Sequence, residues 1–181
     1  YLFDMLANKN VETFQQKGIQ KVITHCPHCL NSLKNEYPEF GAHLEVIHHS
    51  EILETLIAEG KISPGEKTED KVVVHDSCYL GRHNGVYDAP RKVLSAKAEK
   101  VHEVEQSKEK GTCCGAGGAR FLLEENTGTR MSHHRLDELM VTNPDTIAVS
   151  CPYCVLMLED AVKAKGLNVQ VKDIGEMIKA R

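Results

Sequence analysis

Short β-branched runs alternating with stretches of helical period organise this chain. Lys21–Phe40 (KVITHCPHCLNSLKNEYPEF) and Thr146–Lys165 (TIAVSCPYCVLMLEDAVKAK) follow one plan. In each, a strand-like run leads into Cys-Pro-X-Cys, and a helix begins at the second cysteine. A second strand follows, in LEVIH and NVQVK, and then an amphipathic helix, SEILETLIAEG and DIGEMIKAR. The match extends upstream without a gap. Leu6 and Met131, Val11 and Leu136, and Phe14 and Leu139 coincide at helical spacing, at a constant offset of 125 positions. The chain is therefore read as a repeat.

The second copy supplies further elements. Val72–Val74 reads as a strand that delivers His75, Asp76, Ser77 and Cys78 at its carboxyl end. DAPRKVL starts a helix, with Asp88 as N-cap and Pro90 in the first turn. VHEVE is a short strand. CCGAGG follows, then a helix through FLLEE and another ending near Met140. Projecting Cys78, Cys113 and Cys114 back by the repeat offset falls before Tyr1. The first copy is thus read as its rear part only, in a fragment of something longer. The expected division is residues 1–62 for the truncated first repeat, a polar Pro/Gly linker at 63–71, and a complete second repeat at 72–181. The expected class is α/β, with two pseudo-repeated strand–helix halves, largely parallel strands, and the cysteine loops gathered at strand carboxyl ends.

Composition narrows the chemistry. Of 181 residues, 41% are hydrophobic and 27% charged, enough apolar side chain for a packed core. The net charge of -4, with no basic run, argues against a nucleic-acid partner. No apolar run approaches the roughly 20 residues of a membrane span, and no signal peptide is visible. The seven cysteines are Cys26, Cys29, Cys78, Cys113, Cys114, Cys151 and Cys154. An odd count built from two CxxC pairs and one CC pair does not resemble a secreted disulfide framework. It points to a reducing, cytoplasmic setting and to metal or redox chemistry.

If the strands are parallel, Cys78, Cys113, Cys114, Cys151 and Cys154 converge at one edge. A CxxC at a helix start turns two thiolates toward one centre, and the helix N-terminus favours their charge. Five thiols exceed the four of a tetrahedral zinc site and suit an iron–sulfur cluster. Gly115, Gly117 and Gly118 would let backbone N–H groups approach such a cluster, and His75 could donate a hydrogen bond to it. Blander roles compete. The glycines could serve only a turn, His75 could simply finish a strand, and Asp76 is expected to finish the strand and cap a helix. Cys26 and Cys29 are half a site and lack partners. His25 and His28 read as ligands or supporting groups if a first site exists. One of His48 and His49 is expected at the surface, with Ser50 as N-cap. His133 and His134 are expected to face solvent, Arg82 and His83 to be surface residues, and Arg120 to steady a cluster or form a surface ion pair.

Cys78, then after 34 residues Cys113 and Cys114, then after 36 more Cys151 and Cys154, resembles the CCG cysteine-rich domain. That domain is shared by heterodisulfide reductase subunits and related iron–sulfur oxidoreductases. HCPHCLNSLKNEYPEFG, HDSCYLGRHNGVYDAPRKVL and CCGAGGARF are most similar to the C-terminal part of the membrane-associated members. The resemblance implies two motifs per protein, each able to hold a cluster. In heterodisulfide reductases this is a noncubane 4Fe–4S cluster on five cysteines; some relatives place zinc at one motif, and many have a degenerate first motif. It also implies a ferredoxin-like segment and a flavoprotein donor as redox partners. Electrons would pass to a thiol, disulfide or membrane quinone, with the full-length protein at the cytoplasmic face of the membrane. Three functions stay in competition: an iron–sulfur redox domain, a zinc-binding structural or assembly module on the same cysteines, and a metal-free thiol–disulfide switch.

Overall fold

The computed structural model describes residues 1–123, 125 and 127–178. Its order is α1 (Leu2–Gln16), β1 (Lys21–Thr24), α2 (Pro27–Asn31), β2 (Glu45–His48), α3 (His49–Ala58), β3 (Val72–Val74), α4 (Cys78–Gly81), α5 (Asp88–Lys97), β4 (Val101–His102), α6 (Met131–Met140), β5 (Thr146–Val149), α7 (Pro152–Lys165), β6 (Gln170–Asp173) and α8 (Ile174–Met177). All strand pairs are parallel, in a two-stranded sheet β1-β2 and a four-stranded sheet β4-β3-β5-β6. This is the α/β class that the alternation predicts. The repeat is kept in the register: Lys21 pairs Glu45 and Thr146 pairs Gln170, both shifted by the same 125 positions.

Burial explains why the central strands are mostly apolar and β-branched. All three residues of β3 and all four of β5 are buried, as in parallel strands covered on both faces. Leu136, Leu139, Leu158 and Ala161 of α6 and α7 close one face. Val93 and Leu94 of α5 and Ile174 of α8 close the other. The halves exchange core residues: Leu53 and Ile57 of α3 pack on the second half's core, and Leu80 of α4 joins Leu30 and Val46 in the first half's core. This interlocking holds the carboxyl ends of β1, β3 and β5 at the join between the halves.

Three local expectations change. Asp88 is the first residue of α5 rather than its cap, which is Tyr87. The cap of α3 is His48, not Ser50. Its Nδ1 accepts the Ser50 N–H at 3.3 Å while the His48 N–H donates to Glu51 Oε2 at 3.1 Å. The repeat preserves this device at Asp173 and Glu176 of α8. The helix expected through FLLEE is a single 3-10 turn at Arg120–Leu122, entered through a left-handed Ala119 (φ 60°). Phe121 packs on the core but Leu122 and Leu123 are exposed, so little buried face repays further helix ordering; Glu124 lies outside the described residues.

Candidate metal centre

Strand ends and helix starts bring the sulfurs together. Cys78 begins α4 just beyond β3. Cys151 caps α7 and Cys154 sits in its first turn, directly after β5. Cys113 and Cys114 arrive from the loop beyond β4. The Sγ atoms of Cys78 and Cys113 are 3.9 Å apart, and those of Cys114 and Cys154 are 3.4 Å apart. Ser77 Oγ lies 3.6 Å from Cys154 Sγ, and the Gly115 N–H donates to Cys113 Sγ at 3.3 Å. Cys114, Cys151 and Cys154 are buried, whereas Cys78 and Cys113 are partly open.

Close neighbours push the thiols in opposite directions. Cys113 is pulled down to about 2 because Cys114 and then Cys78 donate to it, with the Gly115 N–H helping against burial. Cys114 is pushed up to about 12, chiefly as the donor to Cys113. Cys78 is raised for the same reason, with burial adding to it. Cys151 is lowered to about 5 by Cys154 and then by His28, against burial. Cys154, donating to Cys114 and Cys151, is driven up. All five can become thiolates together only if a cation replaces the shared protons.

His75 adds a nitrogen. One of its ring nitrogens and the sulfurs of Cys114 and Cys154 lie within 4.8 Å of one another, and all three residues are buried. Burial, then the charge of Arg135, lowers His75 to about 3, so it is neutral at physiological pH. Asp76 does not cap α4, the helix that follows its strand. It takes a two-pronged contact from Arg91 at 2.8 and 2.9 Å and the Lys108 N–H at 2.7 Å. Arg91 also reaches Glu103. This pair ties the end of β3 to α5 and to the loop leading to Cys113.

The three glycines differ. Gly115 has φ +89°, and a Cβ there would lie 2.9 Å from Met131 Cβ. Gly118 also has positive φ (+66°), whereas Gly117 does not; nothing among the described residues lies within 4 Å of a Cβ at either. Both instead line a cavity of about 350 Å³ with Ala116, Phe121, Tyr153 and His28. Gly115→Ala is expected to destabilise the protein by about 1–3 kcal/mol through backbone strain and the Met131 contact, while Gly117→Ala is close to neutral. Thermal unfolding of both variants checks this.

Cys26 and Cys29, without partners in the linear reading, meet the second copy through His28. The imidazole lies against Cys151 and Cys26, whose sulfurs, Cys151 first, push it up to about 9 despite burial. Burial opposes ionisation of Cys26, but His28 and nearby N–H groups bring it down; burial and then Cys26 push Cys29 up to about 11. His28 also stacks on Tyr79 at 4.1 Å, and Tyr79 stacks on the exposed His83 at 4.2 Å. The remaining candidate residues are dispersed. His25 is exposed. Neither His48 nor His49 is at the surface: His48 is buried, and the half-buried His49 bonds Asp173 Oδ1 at 2.8 Å. His134 is exposed beside Glu138, and His133 is half-buried. Arg82 donates to the Gly111 carbonyl. Arg120 forms an exposed ion pair with Glu125 at 2.8 Å. Sequence reasoning missed Arg135, Ser77 and Tyr79, since no motif or period singles them out.

Comparison with known proteins agrees with this geometry. The cysteine-rich (CCG) domain family matches residues 2–34 and 72–159. The EtfAB:quinone oxidoreductase of Syntrophomonas wolfei is 46% identical over 98% of this chain. A probable iron–sulfur-binding oxidoreductase of Bacillus subtilis is 44% identical over 98% of it. One of the subunits of the dihydromethanophenazine:CoB–CoM heterodisulfide reductase of Methanosarcina barkeri is 37% identical over 96%. The chain spans 26% of the length of each of the first two and 43% of the third. With the stretches that carry all seven cysteines matched, the chain belongs to the CCG cysteine-rich domain family.

Proposed function

We propose that the chain is an iron–sulfur electron-transfer domain of a heterodisulfide-reductase-like oxidoreductase. The observation that carries this reading is the convergence of Cys78, Cys113, Cys114, Cys151 and Cys154 from three separate loops. The relatives' names, an iron–sulfur-binding oxidoreductase and a component of heterodisulfide reductase among them, support the same chemistry. These residues suit a cluster: close sulfur pairs at Cys78–Cys113 and Cys114–Cys154, a Gly115 N–H already on Cys113, and a buried His75 Nε2 with no hydrogen-bond partner among the described residues. Bound there, a 4Fe–4S cluster of the noncubane kind would supply one-electron chemistry. The five cysteines would hold it, the buried side of the core would exclude water, and the half-open Cys78–Cys113 side would be its exposed flank. Cys26 and Cys29 would belong to the first repeat's motif, residues 1–62, joined through 63–71 to the second repeat, 72–181.

Electrons would come from a flavoprotein or ferredoxin-type donor, in partner subunits or in other segments of the whole protein. They would leave to a disulfide or quinone acceptor, with the whole protein at the cytoplasmic face of the membrane. Among the described residues, no helix is long and apolar enough to cross a membrane. The test is anaerobic purification followed by iron, sulfide and zinc analysis and an absorption spectrum. Iron and sulfide in cluster proportion with a broad visible band are expected; one colourless zinc ion per chain would overturn the reading in favour of a structural zinc module.

A further inference from the structure

Arg135 is fully buried on α6. A buried guanidinium is costly to desolvate and is retained only with partners. Three contacts are present. Nη1 donates to the Gln106 carbonyl at 2.9 Å and to Glu138 Oε2 at 2.7 Å, and Nε donates to His75 Nδ1 at 3.1 Å. Guanidinium nitrogens only donate. Nδ1 of His75 must therefore be an acceptor carrying no proton, and the single proton of the neutral ring is left on Nε2. That nitrogen is buried and has no hydrogen-bond partner among the described residues, while His75 shares a 4.8 Å neighbourhood with the sulfurs of Cys114 and Cys154. A nitrogen that carries a proton cannot donate a lone pair to a metal, but it can donate a hydrogen bond to sulfur.

We propose that Arg135 is a positioning residue that holds His75 in its Nε2–H tautomer, making the imidazole a hydrogen-bond donor to the cysteine cluster and not a ligand. The donor role toward bound iron–sulfur rests on the function proposed above; the tautomer does not. Hydrogen bonds to sulfur stabilise the more negative, reduced state and raise a cluster's potential. Arg135 thereby acts on the centre through His75.

Two measurements test this. The first is the tautomer of His75 in the metal-free chain, from nitrogen-15 shifts of histidine-labelled protein. An Nε2–H tautomer is expected in the wild type and in Arg135→Lys, which keeps a donor, and a mixture in Arg135→Met. An Nδ1–H tautomer in the wild type would overturn the proposal, and this result stands even if Arg135→Met fails to fold. The second is iron content and midpoint potential of His75→Ala after anaerobic reconstitution. Unchanged iron per chain is expected, with the reduction equilibrium about tenfold less favourable, or about 59 mV for one electron. Loss of iron as large as that from a cysteine variant would make His75 a ligand and overturn the assignment. Absence of iron from the wild type, with the tautomer as expected, would instead defeat the iron–sulfur reading and leave the Arg135–His75 pairing standing.

Discussion

Cys114→Ser is expected to empty the centre. Iron and sulfide in the anaerobically reconstituted variant fall by more than tenfold, since even the outer partners of metal ligands are worth about 10–100-fold in affinity. The size of the effect follows from its position. Cys114 is the buried link between two groups of sulfurs, 3.4 Å from Cys154 and next in sequence to Cys113. Serine keeps the shape but its hydroxyl does not ionise at neutral pH, so one anionic donor is lost from the middle of the set. Cys113→Ser should behave alike, because Cys113 is the thiolate that its neighbours support. Cys29→Ser is the contrasting variant. Cys29 is exposed and belongs to the first-copy pair, and iron on the five second-copy cysteines should survive its loss. Full iron content in both Cys114→Ser and Cys113→Ser would refute the ligand assignment.

Asp76→Ala is expected to lower unfolding free energy by about 3 kcal/mol, the low end for breaking a buried ion pair, because Arg91 keeps Glu103. Urea unfolding of the anaerobic protein reads it as a lower midpoint with an unchanged slope. The pH dependence has a definite sign. Burial raises the Asp76 carboxyl, but Arg91 and the Lys108 N–H outweigh it and hold it below its usual value, about 3.9 in an unfolded chain. A group depressed on folding stabilises the protein above its unfolded pKa and loses that contribution as pH falls through the folded one. The gap between wild type and Asp76→Ala should therefore be constant near neutrality and shrink below about pH 4. A gap that grows on acidification would show that Arg91 does not govern this carboxylate. Because Asp76 anchors the loop that carries Cys113, iron retention should fall in step with stability.

Much of this was legible in the linear chain. The valine run of β3 and the apolar TIAV of β5 mark buried parallel strands, and Cys-Pro-X-Cys follows β1 and β5 directly, so those cysteines had to lie at strand ends. The offset of 125 reappears in the paired registers. The FLLEE helix and the Asp88 and Ser50 caps were misread because terminal choices depend on whether a face is buried and on which side chain reaches the free N–H groups. Neither has a periodic trace.

Residue pattern alone determined the α/β class, the repeat and the three cysteine loops, since short-range spacing sets strand, turn and helix start before any long-range contact forms. Only the tertiary structure decided what surrounds the sulfurs. Arg135 meets His75 across 60 positions, Arg91 takes Asp76 across 15, and His49 meets Asp173 of the other copy across 124. Each is a polar contact made where burial has removed water. Its cost is met by one partner whose position depends on how the elements pack, and no local pattern encodes that position.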